Sequence, residues 1–141
     1  MIVLTYDHGG FEIKDVIIEY LQSKGLEYID VNGKYEPTDS YVEYGKKANE
    51  EMQKDSKNIG IYICRSGAGM TIVANRAKAV RAVNCVTKEL ATMGRRHNDA
   101  NVCVIPADYL SREDMLDIID VFLNTPFDGG RHEARVEALG E

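Results

Sequence analysis

Apolar residues alternate along this chain between two rhythms, short β-branched runs and stretches that recur every three or four positions. Ile2-Val3-Leu4-Thr5-Tyr6 is the first run, and Asp7-His8-Gly9-Gly10 makes the turn after it. Ile13, Val16, Ile17, Tyr20 and Leu21 follow at helical spacing, and Gly25 after Lys24 is a stop signal. Glu27 to Val31 reads as a second strand, and Asn32 to Ser40, with Gly33 and Pro37, as a loop. A helix from about Tyr41 to Lys54 turns Tyr44, Ala48 and Met52 inward. Ile59 to Cys64 is the third strand. Its helix, Ala68 to about Ala77, is apolar nearly all round and therefore expected to be buried. Val80 to Val86 is the fourth strand, and Thr87 caps a helix ending near Arg95-Arg96-His97-Asn98. Ala100 to Ile105 is the fifth strand, stopped by Pro106. Ser111-x-x-Asp114 resembles a capping box ahead of Met115, Ile118, Ile119 and Phe122. A last turn, Asn124 to Gly130, leads into a short helical tail from Arg131.

Strands alternating with helices throughout predict an α/β domain over residues 1–141, with no linker or internal repeat. The expected architecture is a doubly wound, Rossmann-like, five-stranded parallel sheet in a three-layer αβα sandwich. Such sheets bind ligands beyond the carboxyl ends of their strands. Asp7-His8, Cys64 to Gly69 and His97-Asn98 are expected at or near that level.

Charge narrows the partners. A net charge of −6 argues against a broad nucleic-acid footprint, so any bound anion must be held by a local cluster of cations. No run approaches about 18 apolar residues, and no signal pattern opens the chain, so no membrane role is expected. Three cysteines without a framework spacing fit a reducing cytoplasm, and no Cys/His spacing suggests a metal. Cys85 and Cys103 fall inside strands and read as core packing.

The chemistry concentrates where the third strand gives way to Arg65-Ser66-Gly67-Ala68-Gly69-Met70. Gly67 and Gly69 let the backbone curl so that several N–H groups face one anion. A thiol at Cys64 is then expected to have its pKa lowered from about 8.5. This reads as a site for handling a carbanion: a base beside donors for a developing oxyanion. The plain alternative is helix–sheet packing around a small buried cysteine. The loop lacks the Lys-Ser/Thr ending of a Walker A motif and a full G-x-G-x-x-G. Asp7 and His8 read either as a cap and an exposed turn or as a pair facing substrate. His97 ends a cationic helix terminus, where positive charge offsets the macrodipole in any case. Arg131 and Arg135, at i and i+4, can grip one phosphate or pair with Glu133, Glu137 or Glu141. Tyr35 and Tyr41 are pocket candidates, and Tyr44 reads as core.

Asp7-His8-Gly-Gly-Phe, Cys64-x-Ser66-Gly67-x-Gly69-Met70, Ala74-Asn75, Val80-Arg81-Ala82, His97-Asn98-Asp99-Ala100-Asn101-Val102 and Gly129-Gly130-Arg131-His132-x-x-Arg135-Val136 occur in that order. Together they resemble the ribose-5-phosphate isomerase B family, which includes the galactose-6-phosphate isomerase subunits, over essentially the whole chain. The resemblance implies aldose–ketose isomerisation of a small sugar phosphate without metal or organic cofactor. It also implies a homodimer or tetramer with sites between subunits, the tail from about 129 reaching a neighbour. Carried over residue by residue, Cys64 is the base that moves the proton between C1 and C2. Ser66 and the amides of Gly67 to Gly69 hold the enediolate oxygens. His97, helped by Asp7, opens the ring, and Asn98 orients hydroxyls. His8, Arg131 and Arg135 take the phosphate. Some members place a glutamate base where Met70 stands, which sets this chain with the cysteine type.

Three departures bear on recognition. Arg65 stands where cysteine-type relatives usually have glycine. Asp108, within Ile105-Pro106-Ala107-Asp108-Tyr109, stands where the family commonly has a phosphate-binding arginine, and an acid there is repulsive to phosphate. Ser40-Tyr41-Val42 replaces an Asp-Tyr-Pro segment near the sugar. The expectation is therefore an intact chemical step with altered recognition, Arg65 standing in for the lost arginine. The alternatives are allose or galactose 6-phosphate, a free sugar, a non-catalytic sugar-phosphate-binding module, or a thiol redox protein; the last lacks a C-x-x-C partner.

Overall fold

A computed structural model describes residues 1–33 and 40–140, so Tyr35, Pro37 and Glu141 lie outside the described residues. The elements are β1 (Ile2–Tyr6), α1 (Lys14–Ser23), β2 (Tyr28–Asp30), α2 (Tyr41–Met52), β3 (Ile59–Cys64) and α3 (Ala68–Asn75). They continue with β4 (Ala82–Asn84), α4 (Lys88–Asn98), β5 (Val102–Pro106), α5 (Arg112–Asn124) and α6 (His132–Leu139). Every described strand pairing is parallel, in the order β2-β1-β3-β5-β4. The doubly wound five-stranded sheet is as the alternation predicts.

Period-two alternation on doubly covered strands divides the core in two. Leu4, Tyr6, Ile61, Ile63, Cys103 and Ile105 face α1, α4 and α5, where Ile17, Leu21, Ala91, Ile118 and Phe122 meet them. Val3, Tyr62, Cys64, Val102 and Val104 face α2 and α3, against Tyr44, Ala48, Met52, Met70 and Val73. Cys64 is thus a residue of the α2/α3 face. Cys85 and Cys103 are fully buried, as expected of packing residues.

Several boundaries match the local chemistry. β3 occupies the expected span, Thr87 accepts from the Leu90 N–H at 3.1 Å, and Ser111 accepts from the Asp114 N–H at 3.1 Å. β4 is shorter than Val80 to Val86. The Val80 amide turns back to the Ala77 carbonyl, and the Arg81 amide is taken by Asn101 Oδ1 at 2.7 Å. β5 starts later than Ala100, because the Ala100 amide bonds the Gly94 carbonyl and closes α4. Pro106, read as a stop, is the last ladder residue, opposite Cys64. α3 is also less enclosed than its composition suggested. Met70, Val73 and Ala74 are buried, but Ile72 is 59% exposed.

The α2/α3 half of the core is tied together by a buried polar bridge. Asn49 on α2 donates to the Val73 carbonyl at 3.0 Å and accepts from the Tyr62 hydroxyl at 2.8 Å, all buried. Asn49→Ala strands both partners at about 1–3 kcal/mol each. Urea unfolding should lose about 2–4 kcal/mol with an unchanged slope; a loss under about 1 kcal/mol would show that the bridge is dispensable.

Candidate active site

The strand order reverses between β1 and β3, and there the two carboxyl ends lie side by side: the Asp7 amide donates to the Ile63 carbonyl at 3.1 Å. Such a switch point opens a crevice. Cys64 closes β3 at its floor, 5% exposed. Asp7 caps the short 3-10 turn His8–Gly10 by accepting from the Gly9 N–H at 2.9 Å, and its carboxylate also meets the thiol. Asp7 is both the cap of the plain reading and a neighbour of the sulfur.

The turn after Cys64 needs its first glycine. Gly67 has φ +81°, and a Cβ there would sit 2.0 Å from Asn84 Oδ1. Asn84, at the end of β4, donates to the Ser66 carbonyl at 3.1 Å. Its Oδ1 packs on Gly67 without a hydrogen bond. The Ser66 hydroxyl accepts from the Ala68 amide at 3.3 Å. The Tyr41 ring lies over Gly69, where a Cβ would come within 2.8 Å of it. Tyr41, Ser66, Gly67, Gly69, Asp7 and Cys64 therefore lie together around the turn after β3.

The expected lowering of the Cys64 pKa is not what this environment produces. Burial raises it, the main-chain N–H groups of Met70 and Gly67 pull it down, and the Asp7 carboxylate pushes it up again. Burial with an adjacent anion outweighs two amide dipoles, so the resting sulfur is a thiol.

His97 and Asn98 correct a second expectation. They end α4, which starts beyond the carboxyl end of β4 and must return antiparallel before β5 can begin. The helix end therefore lies at the amino edge of the sheet, opposite Cys64. Asp99, the residue after Asn98, has Arg81 Nη2 at 3.4 Å and Arg95 Nη1 at 3.2 Å, and the Arg81 amide is tied to Asn101 ahead of β5. The tail docks here too. The His97 and His132 rings stack with centroids 4.5 Å apart and planes 13° apart, and Arg96 Nη2 meets Asp128 at 3.1 Å. Ring contact desolvates His132 and, with the positive fields of His97, Arg131 and Arg135, lowers its pKa against the opposing pull of Asp128. Arg131 and Arg135 are exposed, and neither forms an ion pair among the described residues, so the anticipated pairing with Glu133 or Glu137 is not made.

The expected site residues thus fall in two groups: the thiol, Asp7, His8 and the amides on one edge; His97, Asn98 and the tail arginines on the other. Asn84 and His132 were missed as site residues. Asn84 ends a strand at the carboxyl edge, a position that marks it in such a fold. His132 sits inside the Gly-Gly-Arg-His block, and only the tail's docking reveals its stacking.

Comparison with known proteins places the chain in a family. The model of the ribose/galactose isomerase family matches residues 2–139. Ribose-5-phosphate isomerase B of Escherichia coli is 34% identical over 133 residues, covering 94% of this chain and 89% of that protein. The galactose-6-phosphate isomerase subunit LacA of Lactococcus lactis is 34% identical over 140 residues, covering 99% and 97%. The crystal structure of ribose-5-phosphate isomerase B from Mycoplasma genitalium with bound ribulose 5-phosphate superposes with a TM-score of 0.93 at 30% identity, covering 99% and 93%. The chain belongs to the ribose/galactose isomerase family. It is a sugar phosphate isomerase. No helix among the described residues is long and apolar enough to cross a membrane, and no three metal-ligating side chains come together.

Burial, with the Asp7 carboxylate adding to it, raises the thiol pKa, and Asp7→Asn keeps a cap acceptor while removing the charge. The pH at which Cys64 ionises, followed by thiolate absorbance near 240 nm, should move down. A midpoint unchanged or raised in the variant would show that Asp7 does not govern the sulfur.

Proposed function

We propose that the protein interconverts ribose 5-phosphate and ribulose 5-phosphate in a site built by two copies of the chain. The observation that carries this reading is the separation of the two groups of residues on opposite edges of one sheet. Each edge lacks what the other holds, and a second copy can supply it. The tail, docked on the amino edge beside His97, would bring Arg131 and Arg135 to the same neighbour.

The roles follow from the chemistry. His97 takes the anomeric hydroxyl proton and returns one to the ring oxygen, opening the sugar, with Asp7 from the other copy beside it. Asn98 orients hydroxyls. Cys64, after losing its own proton to the adjacent carboxylate or to water, removes the proton from C2 of the aldose as the carbonyl at C1 gains negative charge. The enediolate oxygens rest on Ser66 and the amides of Gly67 and Gly69. The O2 hydroxyl proton passes to O1 and the same sulfur delivers its proton to C1, leaving a hydroxyl at C1 and the carbonyl at C2. A preorganised donor at a developing oxyanion is worth about 3–4 kcal/mol, and a positioned base adds about 10²–10⁴-fold. His8, Arg131 and Arg135 would hold the phosphate. The relationship to a galactose-6-phosphate isomerase subunit keeps a six-carbon substrate as the second reading, and turnover of allose or galactose 6-phosphate in preference to ribose 5-phosphate would favour it.

Mixing two inactive variants tests the division between copies. Cys64→Ala and His97→Ala should each abolish entry of solvent deuterium at C2. After refolding together, about a quarter of the wild-type sites should return, since half the dimers are mixed and each mixed dimer has one intact site. No recovery, in mixtures shown to contain mixed dimers, would place both groups in one chain.

A further inference from the structure

A cavity of about 350 Å³ opens at the carboxyl edge, lined by His8, Gly9, Glu12, Arg65 and Asp108. Two of its residues are the departures noted from the sequence, and they hold each other. The Asp108 amide donates to the Arg65 carbonyl at 2.9 Å, and Arg65 Nε donates to Asp108 Oδ2 at 3.0 Å. The Arg65 stem lies across Gly9, where a Cβ would sit 2.1 Å from Arg65 Cγ. Main chain, carboxylate and glycine together hold the guanidinium over the same cavity as His8.

The pairing leaves the guanidinium with work to do. Asp108 engages Nε, and among the described residues neither Nη makes a hydrogen bond. A guanidinium has five N–H donors, so the four on the two Nη atoms remain, and the Nη1/Nη2 edge keeps the paired donors that suit a phosphate. The acid engages Nε and leaves that edge without a hydrogen bond among the described residues.

We propose that Arg65 is a phosphate-binding residue supplied by the same chain as Cys64, and that Asp108 is its positioning residue. The proposal rests on the sugar-phosphate isomerase reading and names the group that reads the far end of the substrate. Glu12 and Asp108 bring negative charge to the same cavity, so the sign of Asp108's contribution is the sharpest test. An acid that merely repels phosphate improves binding when neutralised. An acid that holds Arg65 in place weakens binding when neutralised.

Both side chains are exposed, so Arg65→Ala and Asp108→Asn should melt within about a degree or two of the parent. Arg65→Ala should raise KM for ribose 5-phosphate, and the dissociation constant of inorganic phosphate measured by calorimetry, by about tenfold to a hundredfold, with kcat within about threefold. Asp108→Asn should move both constants the same way by several-fold, and Arg65→Lys should recover only part of the loss. Tighter phosphate binding in Asp108→Asn, unchanged binding in Arg65→Ala, or no phosphate binding by the parent protein overturns the proposal. The two readings fail separately. Arg65-dependent phosphate binding without turnover of ribose 5-phosphate would sink the ribose 5-phosphate reading alone. Turnover of ribose 5-phosphate with Arg65-independent phosphate binding would sink this one.

Discussion

A parallel sheet has a direction, and every other feature of this protein answers to it. Each strand ends on one edge, and each crossover helix must carry the chain back to the other. Groups that follow a strand, such as Asp7, Arg65 and Asp108, gather at the carboxyl edge. Groups that finish a helix, such as His97 and Asn98, gather at the amino edge. No side-chain rotation bridges that gap within one chain. The base and ring-opening roles proposed for Cys64 and His97 therefore fall on opposite edges of one chain.

At the sulfur, two opposed electrostatic effects meet. Amide dipoles from Gly67 and Met70 favour the anion; removal from water and the Asp7 carboxylate disfavour it. The protonated form prevails at rest because dipoles at a turn repay only part of the lost hydration of a charge. The donors are nonetheless in position before any substrate arrives. They stabilise negative charge without having to reorganise when it forms.

Local signals carried most of the fold. The β-branched run before Cys64 gave β3 to the residue, and the oxygen of Thr87 gave the start of α4, because both depend on neighbours in sequence. The errors arose where partners distant in sequence decide. β4 lost residues at its start to Asn101, a competitor twenty positions away from Arg81. The apolar circumference of α3 suggested full enclosure, but Ile72 faces outward, and nothing in a single chain says what would cover it. The level of His97 was misjudged although the βαβ order already contained the answer: a helix between parallel strands finishes where strands begin. The thiol's pKa needed burial, which a motif does not reveal.

The protonated state of Cys64 has a bearing on survival as well as on turnover. Peroxide and disulfides react with thiolates, and a sulfur kept neutral and 5% exposed is a poor target for either. The sulfur is therefore held in its less reactive form, shielded from small oxidants. An exposed, low-pKa cysteine at the same place would be lost to sulfenic acid sooner.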